Sequence, residues 1–398
     1  KDSAGNPPNP DGLMTDYLWK QILTKDMLSR IIENYATLVE EKDEETGKTR
    51  YKQIFPRYHQ LTAVESLLAD VKKNGVGNRY LIQHSAGSGK SNSIAWLAHQ
   101  LTGLEDAQGN LLVDSVIVVT DRVVLDKQIR DTIRQFAQTR NIIAWAEHSG
   151  DLRKAIEDGR RIIITTIEKF PYVLPEIGED HKDRHFAIII DEAHSSQNGK
   201  TAGTMNMTLS AIMSDPDMDN EDKINAMCEG KKLLTNASYF AFTATPKNKT
   251  LETFGTAYED AGVIKHRPFH VYTMKQAIQE GFILDVLKYY TPIDSYYRLK
   301  KTVEDDPMFD KKKAQKKLRA FVENQTFTIA QKADMMVSHF HEQVIAKGKI
   351  GGQARAMIIT SSIERCIEYY HAVNKCLANR HSPYKAIIAF SGEKQLDK

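Results

Sequence analysis

Cysteine is scarce. The 398 residues hold three, Cys228, Cys366 and Cys376, with neither a C-x-x-C pair nor zinc-ligand spacing. That excludes a disulfide scaffold and a zinc ribbon, and it fits free thiols in a reducing compartment with no structural metal. No run approaches 18 consecutive apolar residues, so no membrane-spanning helix is expected, and the N-terminus lacks the charged-then-apolar pattern of a signal peptide. These absences predict a soluble, cytoplasmic protein. An excess of either charge is missing too: 54 Lys and Arg against 52 Asp and Glu leave a formal net charge of +2. Any nucleic-acid surface must therefore be a local groove or strip, not a basic body. The chain begins at Lys1 rather than Met, and KDSAGNPPNPDG has a linker composition, so sequence upstream is expected.

Two peptides carry the chemistry. HSAGSGKS at 84–91 supplies Ser85, Ala86, Gly87, Ser88 and Gly89, small enough for a strand-to-helix turn to bring backbone N–H groups against a phosphate chain. Lys90 then reaches the β- and γ-phosphates as a point charge, and the Ser91 hydroxyl ligates the bridging Mg²⁺. His84 stands where the G-x-x-x-x-G-K-[ST] consensus wants a small residue, a departure read here as a subfamily mark. AIIIDEAH at 187–194 supplies the carboxylates. Phe186 to Ile190 is the short apolar run of a buried parallel strand, and Asp191 and Glu192 stand at its C-terminal end, where open α/β sheets bind ligands. Asp191 suits the metal, Glu192 the lytic water. His194 is placed to sense the γ-phosphate and relay it towards FTATP at 242–246. An ordinary loop or a solvated helix start explains either peptide alone; their order after apolar strands favours a nucleotide-hydrolysing motor binding ATP and Mg²⁺.

Length permits two or three domains. Residues 1–50 read as a linker and helical arm, with Leu18, Ile22, Leu28, Ile31, Ile32 and Leu38 at helical spacing before the charged run EEKDEETGKTR. Glu40 and Lys42 form an E-x-K that reads better as a solvated helix end than as a nuclease remnant. Residues 51–271 alternate apolar strands with helical segments, as a doubly wound parallel sheet requires, with strands placed at 80–83, 115–120, 162–165, 186–190 and 239–243. Polar groups follow most of these strands: Thr120, Asp121 and Arg122, then Thr165 and Thr166, then Thr243 and Thr245. Singly each is a turn or cap residue. Their recurrence on one sheet edge suits a grip on a phosphodiester backbone that reads no bases, with Thr120, Arg122, Thr166, Thr243 and Thr245 as DNA or coupling residues.

In FPRYHQ at 55–60, Gln60 can hydrogen-bond an adenine edge, with Arg57 and Tyr58 near for stacking or phosphate contact, although a helix start after Pro56 explains the peptide as well. SDPDMDNED at 214–222 reads as a solvated loop. DKKKAQKKLR at 310–319 is a solvated face that could also bind a phosphate backbone. From 272 a connecting helical region leads to 398, where AMIITSS (356–362) and AIIAFS (386–391) read as strands around a helix from Ile363 to Leu377.

RYHQ, HSAGSGKS, VVTDR, ITTIEKF, DEAH, FTATP and AIQEGFILDVL (277–287) together resemble the ordered motifs of superfamily 2 helicases and translocases. More narrowly, with the MTDYLWKQIL arm, they resemble the motor (R) subunit of type I restriction enzymes. The resemblance spans roughly 14–398, and QHSAGSGKSNSIAW with GFILDVL is its most specific part. It implies an α/β fold: a RecA-like P-loop NTPase parallel sheet flanked by helices, with an incomplete second RecA-like lobe. It implies an ATP-driven double-stranded DNA translocase working with methyltransferase and specificity subunits, and a nuclease domain upstream of the arm. The arginines that complete the ATP site in the second lobe are not identifiable here. A strand-separating helicase shares the motifs, and a DNA-binding scaffold using ATP as a structural ligand is the non-catalytic alternative, against which intact Lys90, Ser91, Asp191 and Glu192 argue.

Overall fold

The structure, a computed structural model, describes residues 9, 11–42, 49–120, 132–133, 143–146, 148–166, 181–191, 235–285, 326–348 and 354–390. The chain divides into two compact units, residues 1–292 and 293–398.

The first unit opens with a short π-helical turn (Leu18–Ile22) and α1 (Lys25–Asn34), whose N-cap Thr24 accepts the Met27 N–H at 3.4 Å. Of the apolar positions expected to form a helical stripe, Ile31 is fully buried, while Leu18, Leu28, Ile32 and Leu38 are exposed. The arm does not run helical to residue 40. It turns into an antiparallel ribbon, β1 (Thr37–Lys42) and β2 (Thr49–Ile54), so Glu40 and Lys42 lie on a strand and not on a helix end. Alternating β-branched and aromatic residues, Thr37, Val39, Thr49 and Tyr51, favour this pairing over a continued helix.

Then follow α2 (Tyr58–Asn74), β3 (Arg79–His84), α3 (Lys90–Thr102), β4 (Ser115–Thr120), β5 (Ile143–Trp145), α4 (Ser149–Glu157), β6 (Ile162–Thr166), β7 (Phe186–Ile190) and β8 (Ala237–Thr243). Next come α5 (Asn248–Phe254), an exposed ribbon β9 (Thr256–Asp260) and β10 (Val263–Arg267), β11 (His270–Tyr272) and α6 (Met274–Gln279). Seven strands form one sheet in the order β11-β3-β8-β7-β4-β6-β5, parallel at every pairing. The five strands read from sequence are β3, β4, β6, β7 and β8; β4 and β7 have the bounds read, and the other three are extended by one or two residues. β5 and β11 are added at the edges.

Side chains alternate between two cores, as a strand's period of two dictates. Tyr80, Ile82, Val116, Val118, Ile162, Ile164, Ala187, Ile189, Phe240 and Phe242 pack against α1, α2 and α3. Leu81, Ile117, Val119, Ile163, Ile188, Ile190, Tyr239 and Ala241 face α4 and Phe254 of α5. Because both faces are covered, the central strands are apolar at nearly every position. This leaves their C-terminal ends, all on one edge, as the place for polar chemistry.

In the second unit α7 (Thr326–His339), continued by a π-helical turn to Ile345, packs on α8 (Ile363–Asn379) through Ala333, Val337, Val373 and Leu377. Ser362 caps α8 by accepting the Arg365 N–H. The helix matches expectation, but the strands expected at 356–362 and 386–391 are not formed among the described residues: 354–360 and 384–390 carry no regular secondary structure. Ile358 and Ala386 rest on the helix pair, while Met357, Ile359 and Ile387 stay exposed. An apolar alternation supplies a face, but a strand also needs a paired neighbour, and none occurs among the described residues. The runs at 214–222 and 310–319 lie outside those residues.

Candidate functional site

The loop after β3 is built as its small residues demand. Gly87 and Gly89 take φ of 74° and 82°, left-handed values that cost a side chain dearly, and Lys90 begins α3 directly after them. A Cβ on Gly89 would also sit 2.5 Å from Gln60 Nε2. Ala86 and Gly87 are exposed at the crown, while Ser85, Ser88 and Lys90 are buried. The backbone N–H groups of Ala86, Gly87 and Gly89 donate to no described residue, and the buried Ser85 and Ser88 hydroxyls have no hydrogen-bond partner among those residues. A helix N-terminus, clustered free amides, orphaned hydroxyls and a cation at the first helical turn are the donors an oxyanion chain satisfies.

The loop carbonyls, in contrast, are tied down. Gln60, three residues into α2, donates from Nε2 to Gly89 O at 2.9 Å and, at 3.4 Å, to Ser88 O, while its Oε1 accepts the Arg57 N–H at 2.9 Å. His59 Nε2 is 3.0 Å from Ser88 O. Since a carbonyl only accepts, His59 carries its proton on Nε2. The Ser85 N–H donates to Tyr272 O of β11 at 3.0 Å, fixing the loop's start. Thus FPRYHQ is both a helix start and a loop-holding element. Gln60, only 3% exposed, is engaged with the loop itself.

His84 explains the departure from consensus. It is fully buried, with Nε2 2.9 Å from His270 Nδ1, and its ring stands edge-on to His59, which stacks flat on Tyr272 at 3.8 Å. Burial first, then the neighbouring His270, His59 and Lys90, holds the His84 imidazole well below its ordinary range. Burial and then His59 lower His270 to about 4. Burial also lowers His59, with Arg57 assisting and the Ser88 carbonyl and Glu280 opposing. All three are neutral when folded, whereas unfolded imidazoles take up protons near pH ~6.5. The stability they confer is therefore complete above ~6.5 and falls as acid draws the unfolded chain towards its protonated form, by about 3 kcal/mol from His270 alone on the way to pH 4. Denaturant midpoints should hold steady from pH 8 to 7 and drop below 6.5. His270→Gln should flatten that slope, and an unchanged slope in the variant would refute its assignment to this cluster.

Asp191 ends β7, 6% exposed, its N–H donating to Val119 O at 2.9 Å. β8, which lies between β7 and β3, brings Thr243 level with Gln83. Asp191, Thr243 and the phosphate-loop candidate thus stand on one edge of adjacent strands. Thr120 and Thr166 are paired on that edge further along. Thr120, Thr166 and Thr243 are all buried, and the Thr243 hydroxyl accepts the Thr245 N–H at 3.4 Å, a turn role; Thr245 itself is exposed. Glu192, His194 and Arg122 lie outside the described residues. Sequence reasoning missed His59, Tyr272 and Glu280: Tyr58 and Glu280 meet across 222 residues, and no local spacing signals such a contact.

The sequence model of the SWI2/SNF2 ATPase family matches residues 59–321. A Staphylococcus aureus protein named as a type I restriction enzyme endonuclease subunit is 27% identical over 235 residues, covering 57% of this chain and 21% of its own length. A Mycoplasma pneumoniae protein described as the C-terminal part of such a subunit is 31% identical over 159 residues, 36% of this chain and 73% of that protein. The chain thus spans about a fifth of the Staphylococcus aureus relative it matches. Among solved structures, the fragment of an HsdR subunit of a type I restriction enzyme from Vibrio vulnificus aligns with a TM-score of 0.45 at 14% identity, covering 92% of this chain and 61% of that one. Among the described residues, no helix is long and apolar enough to cross a membrane.

Proposed function

The chain belongs to the SWI2/SNF2 ATPase family and to the type I restriction enzyme endonuclease subunits, and from that premise we propose that it is the ATP-hydrolysing motor of such a subunit, translocating double-stranded DNA towards methyltransferase and specificity subunits. The observation that carries the reading is the loop at 85–91, with its unengaged amides and orphaned hydroxyls against a helix that starts with Lys90. Those groups fit a triphosphate. Lys90 neutralises the β- and γ-phosphates, and the amides of Ala86, Gly87 and Gly89 hold their oxygens. Ser91 and Asp191 are hard oxygen ligands of the kind Mg²⁺ takes, and the ion would offset charge on the leaving phosphate. Glu192 orients the lytic water and accepts its proton. His194 senses the γ-phosphate side.

Thr243 ends β8 and Thr245 follows it, two strands from Thr120. The exposed Thr245 is the candidate for a backbone phosphate contact, and the buried Thr243 the turn that presents it. Movement of that turn with the nucleotide would change the grip once per cycle. Thr120 and Thr166 extend the same edge, and Arg122 is assigned with them to the phosphate backbone. This reading carries with it a cytoplasmic working position.

ATP hydrolysis by the full-length parent, with partner subunits and with or without linear duplex DNA, tests this. Turnover stimulated by duplex, with displacement of a triplex strand and no unwinding of a forked duplex, is the expected result. Unwinding would make it a strand-separating helicase. No turnover in the complete assembly would leave a DNA-binding scaffold.

A further inference from the structure

The carboxylate of Glu280, at the end of α6, accepts the Tyr58 hydroxyl on one oxygen at 2.5 Å and the Tyr272 hydroxyl on the other at 2.7 Å. Burial and then Glu280 raise both tyrosines above their ordinary range, so each remains a protonated donor. Tyr272 carries His59 on its ring face with the planes 4° from parallel, and Tyr58 meets the same imidazole edge-on at 5.4 Å. His59 in turn donates to Ser88 O, while its Nδ1 is buried with no hydrogen-bond partner among the described residues. The imidazole therefore has one polar engagement, the phosphate-loop carbonyl, and two aromatic rings that aim it there. Beyond Glu280, Gly281 turns at φ 73°, Phe282 lies 3.8 Å beneath the Arg57 guanidinium, and Ile283 reaches to 3.9 Å from the Cβ position of Gly87. The 272–283 segment thus backs the loop from its start to its crown.

We propose that Glu280, Tyr272 and His59 are positioning residues for nucleotide binding: the carboxylate sets the tyrosines, Tyr272 sets the imidazole, and the imidazole turns the Ser88 carbonyl away from the phosphates. The physical need is electrostatic. A peptide plane flipped at Ser88–Gly89 would point a carbonyl dipole at the anion and withdraw an N–H from it. Gln60 holds the next carbonyl, at Gly89, so two adjacent residues of α2 fix two adjacent peptides. His59 and Glu280 touch neither the phosphates nor the lytic water in this scheme. Their effect appears in affinity more than in the chemical step.

This inference rests on the loop binding ATP, and the test separates the two. Mg·ATP affinity, read with a fluorescent ATP analogue, and DNA-stimulated kcat and KM are measured on the full-length protein. His59→Ala should raise Kd and KM roughly tenfold, the order expected when a buried carbonyl loses its nearer donor and keeps only Gln60 at 3.4 Å, with kcat changed far less. His59→Gln, which restores an N–H at similar reach, should recover most of the affinity. Tyr272→Phe removes one hydroxyl and keeps the ring, so it reports on the network should His59→Ala fail to fold. Glu280→Gln combined with His59→Ala should cost no more than the larger single change, since both act through one contact. If wild type fails to bind Mg·ATP, or binds it as Lys90→Ala does, the nucleotide reading falls. If wild type binds and Lys90→Ala does not, then unchanged affinity in His59→Ala or Tyr272→Phe, failure of Gln to rescue, or additive costs overturns the positioning network alone.

Discussion

Lys90→Ala should abolish ATP turnover with the fold intact. Lys90 is the first residue of α3, 8% exposed, and follows directly on the loop whose Ala86, Gly87 and Gly89 amides are unengaged among the described residues. Alanine is at least as good a helix former as lysine, so the helix loses nothing. What disappears is one positive charge beside a polyanion. At an effective dielectric constant of 20, a unit pair 4 Å apart is worth about 4 kcal/mol, so turnover should fall on the order of a thousandfold. Phosphate release under DNA stimulation reads the loss, and an unchanged thermal melt shows that the protein still folds. Turnover within threefold of wild type would place the phosphates away from this loop.

Why that loop was legible from sequence, and the rest of its surroundings was not, follows from range. Ser85 to Ser91 is a local structure: glycine supplies left-handed φ, and Lys90 takes its place because the helix begins there. The central strands were legible for a different reason. With both sheet faces covered, VIVV, IIIT and FAIII have no polar alternation to confuse them. The short edge strands β5 and β11, three residues each, carry no such run. The ribbon at 37–54 was missed, its start to residue 40 read as the end of the helical arm and the charged run after it as an exposed turn, because β2 is exposed along nearly its whole length and leaves no buried face to set the period. At 356–362 and 386–391 the apolar pattern is present, but the described residues there form no ladder. His84, which the sequence shows only as a departure from the consensus marking a subfamily, is a core residue paired with His270 across β3 and β11, a contact of 186 residues' separation. Register between non-consecutive strands decides such contacts, and composition does not record register.

Glu192→Gln should do the opposite of what Lys90→Ala does to binding: ATP is held and not hydrolysed. Glutamine matches glutamate in shape and still accepts a hydrogen bond, but it cannot take a proton from water at neutral pH. Losing a general base costs roughly a hundredfold to ten-thousandfold in rate. Affinity should survive, since in the proposed site the neutralising charge comes from Lys90 and the metal ligands from Ser91 and Asp191, none of which changes. The discriminating comparison is with Asp191→Asn. Asp191 stands at the end of β7, held there by its own N–H on Val119 O, and the metal role is the one proposed for it. Its amide variant should therefore lose Mg²⁺-dependent affinity along with turnover, whereas Glu192→Gln should keep affinity and accumulate bound ATP on DNA. Equilibrium binding across a Mg²⁺ titration, beside single-turnover hydrolysis, separates the two. Identical phenotypes would mean that neighbouring carboxylates share one task, and normal turnover in Glu192→Gln would remove it as the base. A divergence in affinity at equal loss of rate is what a division of labour between metal and water requires.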